Sequence, residues 1–150
     1  MIITNNPLVL AFCPLIGFEV KWIDGGPLEV FLACRKRVHK GYCLLTHPLM
    51  GDLHLLQTPF RTVLLGRKTE GVDLTSVRWI EESIERVRSS PGIRGPEGAL
   101  PEEYFEDYQA LDLDLFRNAI RGIGLHGTRE IPFDDGVIDQ SDKGIDIKNR

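Results

Sequence analysis

Leu28, Phe31, Cys34 and Val38 recur at helical spacing between Pro27 and Gly41, and the apolar run Tyr42-Cys43-Leu44-Leu45-Thr46 follows with no linker. Proline suits the first position of a helix and glycine its end, so a helix here hands the chain straight to a strand. That strand has no polar alternation, which fits a central position covered on both faces. Upstream, Phe18 to Asp24 alternates apolar and charged residues with period two, the pattern of a strand with one wet face, and Asp24-Gly25-Gly26 turns the chain. A strand, a helix and a second strand in this order predict that the run at 42–46 lies parallel to the strand before it.

The remaining elements fall around this unit. Met1-Ile2-Ile3-Thr4 reads as a first strand ending at Asn5-Asn6-Pro7, and Leu8 to Leu15 fits a short helix or a strand equally well. Phe60 to Leu65 reads as another strand. Asp73 is placed to cap a helix whose stripe is Val77, Ile80, Ile84 and Val87, with Pro91 where that helix must stop. Ser89 to Pro101 is a Gly, Pro and Ser loop before a long third helix carrying Tyr104, Tyr108, Leu111, Leu115, Ala119 and Ile123. The expected fold is α/β: a layered, Rossmann-like sheet with parallel central strands and flanking helices, forming one domain over residues 1–126. Residues 127–150 are expected to form a polar tail or an extended arm.

At 150 residues the chain can bury about two thirds of the surface its unfolded form exposes, enough for one core. Its formal charge of −4 gives no general attraction to nucleic acid or anionic lipid, so neither partner is expected. The longest apolar run, Pro7 to Phe18, is broken by Pro14 and Gly17 and falls short of the about 20 residues that cross a bilayer. The first basic residue is Lys21, which does not match a secretory leader, and a cytoplasmic location is expected. Cys13, Cys34 and Cys43 form no CxxC pair and read as reduced thiols. His47 and His54 lack a Cys, Asp or Glu cluster that would complete a metal site, so no metal or cofactor is expected. The tail segment Asp139 to Gly144 departs from a calcium loop at Lys143 and at Arg150, where a bidentate Glu is required.

In open α/β sheets, ligands bind outside the carboxyl ends of the strands. Asn5, Asn6 and His47 each follow a predicted strand, and Thr46, Thr58 and Arg61 fall within reach if the strands at 2–4 and 42–46 are neighbours. This set suits a small carboxylate or phosphate. Amides and hydroxyls would orient it, His47 would donate a hydrogen bond or move a proton, and Arg61 would grip it with its planar fork. The plain alternative is structural, with Asn5 and Asn6 satisfying turn amides, His47-Pro48 closing a strand and Arg61 standing on one. The cations Arg35, Lys36, Arg37, His39 and Lys40 fit the end of a helix, where its dipole favours positive charge. No Gly-rich phosphate motif accompanies Asp24-Gly25-Gly26.

Taken together, Thr4-Asn5-Asn6-Pro7, Arg35 to Gly41, Leu44-Leu45-Thr46-His47-Pro48-Leu49, Gly51 and Thr58-Pro59-Phe60-Arg61 resemble the GrdX family over roughly residues 1 to 90. Members are small proteins encoded beside the glycine, sarcosine and betaine reductase genes of amino-acid-fermenting anaerobic bacteria. The family tends to carry a Lys-Pro pair in the loop after Gly51, where Asp52 to Gln57 stands here, so that either His54 substitutes for that Lys or its role is absent. The resemblance implies a cytoplasmic accessory protein of reductive amino-acid metabolism, binding a small anionic metabolite or a reductase component. Two further readings stand beside it. One is an enzyme with His47 as general acid or base, Asn5 and Asn6 as orienting amides and Arg61 as anchor. The other is a homodimer built on the apolar faces of the last two helices.

Overall fold

The computed structural model describes residues 1–51, 58–89 and 102–124. The sequence expectations for His54, for the loop at 90–101, for the domain boundary at 126 and for the tail at 127–150 lie outside these residues. Strand β1 (Ile2–Thr4) is fully buried. Asn6 then starts helix α1 (Pro7–Phe12) by accepting the Leu8 N–H at 2.9 Å, with Pro7 in the first helical position. The ambiguous stretch is therefore helical. Pro14 has no N–H to extend the α-pattern, and the chain tightens into a 3-10 turn over Cys13–Ile16 that ends at Gly17.

Strand β2 (Val20–Trp22) pairs parallel to β1, Ile2 opposite Val20 and Thr4 opposite Trp22. Helix α2 (Pro27–Val38) begins where the Glu29 carboxylate accepts the Gly26 N–H at 2.9 Å. It delivers the chain to β3 (Tyr42–Leu44). Strand β4 (Thr62–Lys68) runs antiparallel to both β1 and β3, and the sheet order is β2-β1-β4-β3. The central pair, β1 and β4, is thus antiparallel, and among the described residues β1 with β2 is the one parallel pair.

This corrects the expected parallel centre and Rossmann-like order. Strand β3 runs in the direction of β1 and β2, as a strand–helix–strand unit requires, yet its sheet neighbour is β4. A parallel β4 would need a crossover back to the far end of the sheet. The chain instead turns at His47 to Met50, where the Met50 N–H reaches the His47 carbonyl at 3.0 Å, and re-enters from the end it left.

Helices cover both faces. Ile3, Val63, Leu65 and Leu44 face α2 and α3 (Leu74–Ser89), meeting Phe31, Cys34, Val38, Ile80, Ile84 and Val87. Ile2 and Leu64 face α1 and α4 (Phe105–Gly122), meeting Val9, Phe116 and Ile120. Each fully buried aliphatic or Phe side chain contributes roughly 1.5–3 kcal/mol, so the first face carries more of the stability. The stripe expected on α4 is rotated in the structure: Leu111 and Ile123 stand 47% and 40% exposed, and Phe116 and Ile120 meet the sheet instead. That rotation also turns Asp112 toward the sheet, where Asn6 and Thr62 donate to it. No helix among the described residues is long and apolar enough to cross a membrane.

Candidate functional site

Strands β1 and β3 end at the edge of the sheet where β4 begins, so Asn5, Asn6, Thr46, His47, Thr58 and Arg61 gather at one end of the molecule. Strands β1 and β3 are not neighbours, because β4 lies between them. The Asn5 amide donates to the Gly25 and Pro59 carbonyls, both at 2.8 Å, and its oxygen accepts the Arg61 N–H at 2.7 Å. It clamps three loops together. Thr46 Oγ1 accepts the Leu64 N–H at 2.9 Å, tying the end of β3 to β4. The Thr58 hydroxyl oxygen is buried without a hydrogen-bond partner among the described residues.

Asn6 faces the other way. Besides capping α1, its amide donates to the Gln109 carbonyl at 2.9 Å and to Asp112 Oδ2 at 2.8 Å, both on α4. Thr62 donates to the same Asp112 oxygen at 2.6 Å. A hydroxyl has one hydrogen to give, so in the 2.8 Å contact between Thr4 and Thr62 the donor is Thr4. Thr4 in turn accepts the Asn6 N–H at 3.0 Å. The chain from the Asn6 backbone through Thr4 and Thr62 is polarised toward Asp112. Burial pushes the Asp112 carboxyl above the usual carboxylate range, opposed by the Thr62 and Asn6 hydrogen bonds and by the charge of Arg61.

His47 belongs to a separate feature. The Leu49 N–H donates to His47 Nδ1 at 3.1 Å, and the imidazole lies 5.1 Å from the Trp79 ring at a tilt of 55°. An Nδ1 that accepts carries no hydrogen, which puts the single hydrogen of the neutral ring on Nε2. His47 and Leu49, with Glu82 and Arg86 of α3, line an open cleft of about 330 Å³ among the described residues. Trp79, which meets the His47 ring, is spaced three before Glu82 and Glu82 four before Arg86, so all three share the face of α3 beside the His47 turn. That spacing was the readable signal for Glu82 and Arg86, which the sequence analysis missed. Asp112 had no such signal, because only the rotation of α4 turns it inward.

The basic end of α2 is partly engaged. Arg35 and His39 approach Glu81 of α3 at 3.6 and 3.7 Å, and the Arg37 guanidinium stands 5.8 Å from the Tyr42 ring centre. Burial pushes the Cys13 thiol up to about 11 and the Cys34 thiol higher still, so both stay protonated and poorly nucleophilic near neutral pH. Among the described residues no three His, Cys, Asp or Glu side chains gather closely enough to hold a metal.

No curated protein matches this chain, and no solved structure matches it. A family model does, described as GrdX-like protein and covering residues 1–121. The matched span takes in all four strands, the cleft residues His47 and Arg86, and the Asp112 network. On that match, the chain belongs to the GrdX-like protein family.

Proposed function

We propose that this GrdX-like chain is a cytoplasmic accessory protein of reductive amino-acid metabolism, which binds a small carboxylate or phosphate metabolite without transforming it. The metabolic setting follows from the family resemblance, and the cleft beside His47 supplies the chemistry. The observation that carries this reading is the 3.1 Å hydrogen bond from the Leu49 N–H to His47 Nδ1. It fixes the ring hydrogen of the neutral imidazole on Nε2, whereas a general base needs a lone pair at the nitrogen that meets substrate. With Arg86 on the same cleft, His47 makes a donor pair suited to an anion. Asn5, Asn6 and Thr46 have their side chains committed to loops, to α4 and to β4 respectively, and their role in this reading is to hold the sheet end beneath the cleft.

A thermal-shift series with acetate, glycine, betaine, phosphate and acetyl phosphate tests the reading. A ligand at 100 times its dissociation constant should stabilise the chain by about 2.7 kcal/mol, roughly 5–10 °C at this size. The shift should shrink in His47→Phe and in Arg86→Gln, with every compound recovered unchanged. Chemical conversion of any compound would overturn the non-catalytic assignment. Absence of a shift from all of them would point to a protein partner, with the reductase components as the next bait.

A further inference from the structure

We infer that the cleft between the His47 turn and α3 selects a zwitterion, a small molecule bearing one carboxylate and one ammonium group, over a simple anion. The inference rests on the reading of this cleft as a ligand site and turns on Glu82. Four residues before Arg86 on the same helix face, Glu82 lines the cleft as an acceptor beside two donors. A Glu and an Arg at this spacing commonly close on each other across a helix surface. Here they do not: neither makes an ion pair among the described residues, and the neighbouring Glu81 takes both Arg35 and His39. Two opposite charges therefore stand one turn apart on the wall of a cleft that His47 also lines.

A phosphate or a plain carboxylate placed against Arg86 would also meet the Glu82 carboxylate, and that repulsion offsets part of the attraction. An amino acid meets no such conflict, since its carboxylate faces Arg86 and His47 while its ammonium faces Glu82. The volume agrees with a small ligand: about 330 Å³ lies at the lower end of the roughly 300–1,000 Å³ of small-molecule clefts. Leu49 supplies the apolar wall for a short side chain.

Isothermal titration of the full chain at low salt distinguishes the cases, with four probes: alanine, propionate, ethylamine and inorganic phosphate. Propionate lacks the ammonium of alanine, and ethylamine lacks its carboxylate. The expected result is that alanine binds about tenfold or more tightly than either analogue or phosphate. Glu82→Gln should weaken alanine about tenfold while leaving propionate and phosphate unchanged or tighter, and Arg86→Gln should weaken alanine, propionate and phosphate together. Both side chains are exposed, so these variants should fold. Propionate or phosphate binding as tightly as alanine, with no loss in Glu82→Gln, would overturn the zwitterion and leave the anion site standing. If none of the four binds, both readings fall.

Discussion

Asn5 and Asn6 stand side by side just past β1 and serve different neighbours, Asn5 the loops at Gly25 and Pro59 and Asn6 the helices α1 and α4. Asn5→Ala would strand the buried Arg61 N–H and release the Gly25 and Pro59 loops. Asn6→Ala would remove a helix cap worth about 1 kcal/mol and two bonds to α4 worth about 1 kcal/mol each. At roughly 2–4 °C per kcal/mol, the Asn6 variant should melt about 6–12 °C below wild type, readable by circular dichroism. A loss under 2 °C would mean that these bonds do not hold α4 down. Asp112 adds a pH signature. Its folded-state pKa is raised, so its favourable contribution is full below the ordinary carboxylate value of about 3.9 and is lost as pH rises through the folded value. The stability difference between wild type and Asp112→Asn should therefore shift in favour of the variant as pH rises above about 4. A difference that moves the other way would show that Arg61 and the hydrogen bonds outweigh burial.

Strand β4 shows how elements outrun their sequence signals. The sequence predicts a strand over 60–65, yet the strand begins at Thr62 and pairing runs on through Gly66 to Lys68. The reason is lateral: a Cβ on Gly66 would sit 2.6 Å from Cys43 Sγ and 3.2 Å from a Leu45 carbon, so glycine is what lets β3 close against β4. Gly66→Ala should cost about 1–3 kcal/mol by overpacking, and Cys43→Ala in the same chain should recover part of that loss. Urea midpoints of the four chains in this cycle give the coupling, and strictly additive losses would place the strain elsewhere. The helices were legible for the opposite reason, since their stripes and stops are local. Pro27, Asp73 and the Ile80, Ile84, Val87 spacing mark α2 and α3 with no knowledge of the sheet. Strand order is not local, and His47 illustrates the cost. Its place at the strand end was readable, but its partners on α3 came only with the packing of that helix beside the turn at 47–50.

At the scale of the whole molecule, the two helical layers are bound to the sheet by different means. Helix α2 buries Val30, Phe31, Ala33, Cys34 and Val38, and α3 adds Ile80, Ile84 and Val87, a layer dominated by apolar contact. Helix α4 buries only Phe116 and Ile120 along its eighteen residues, and the polar network from Asn6 and Thr62 to Asp112 adds to the contacts of Phe105 with Phe60 and of Leu115 with Gly51 in holding it to the sheet end. Hydrogen bonds contribute about 0.5–1.5 kcal/mol each, less than the burial of a large aliphatic side chain, so the α4 layer should open before the α2 and α3 layer. Native-state hydrogen exchange should accordingly give α4 amides a lower opening free energy than those of α2 and β4. Asp112→Ala should lower the α4 value further while leaving protection in α2 largely as it was. Equal protection of α4 and α2 in wild type would mean that the two layers unfold as one unit and that the polar network is as strong a tie as the larger core. Because Gly51, at the end of the His47 turn, packs so closely on Leu115 that a Cβ there would meet its Cδ1 at 2.2 Å, opening of α4 should also loosen the turn that carries His47. A ligand seated against His47 should then slow exchange along α4, although none of the cleft residues belongs to that helix.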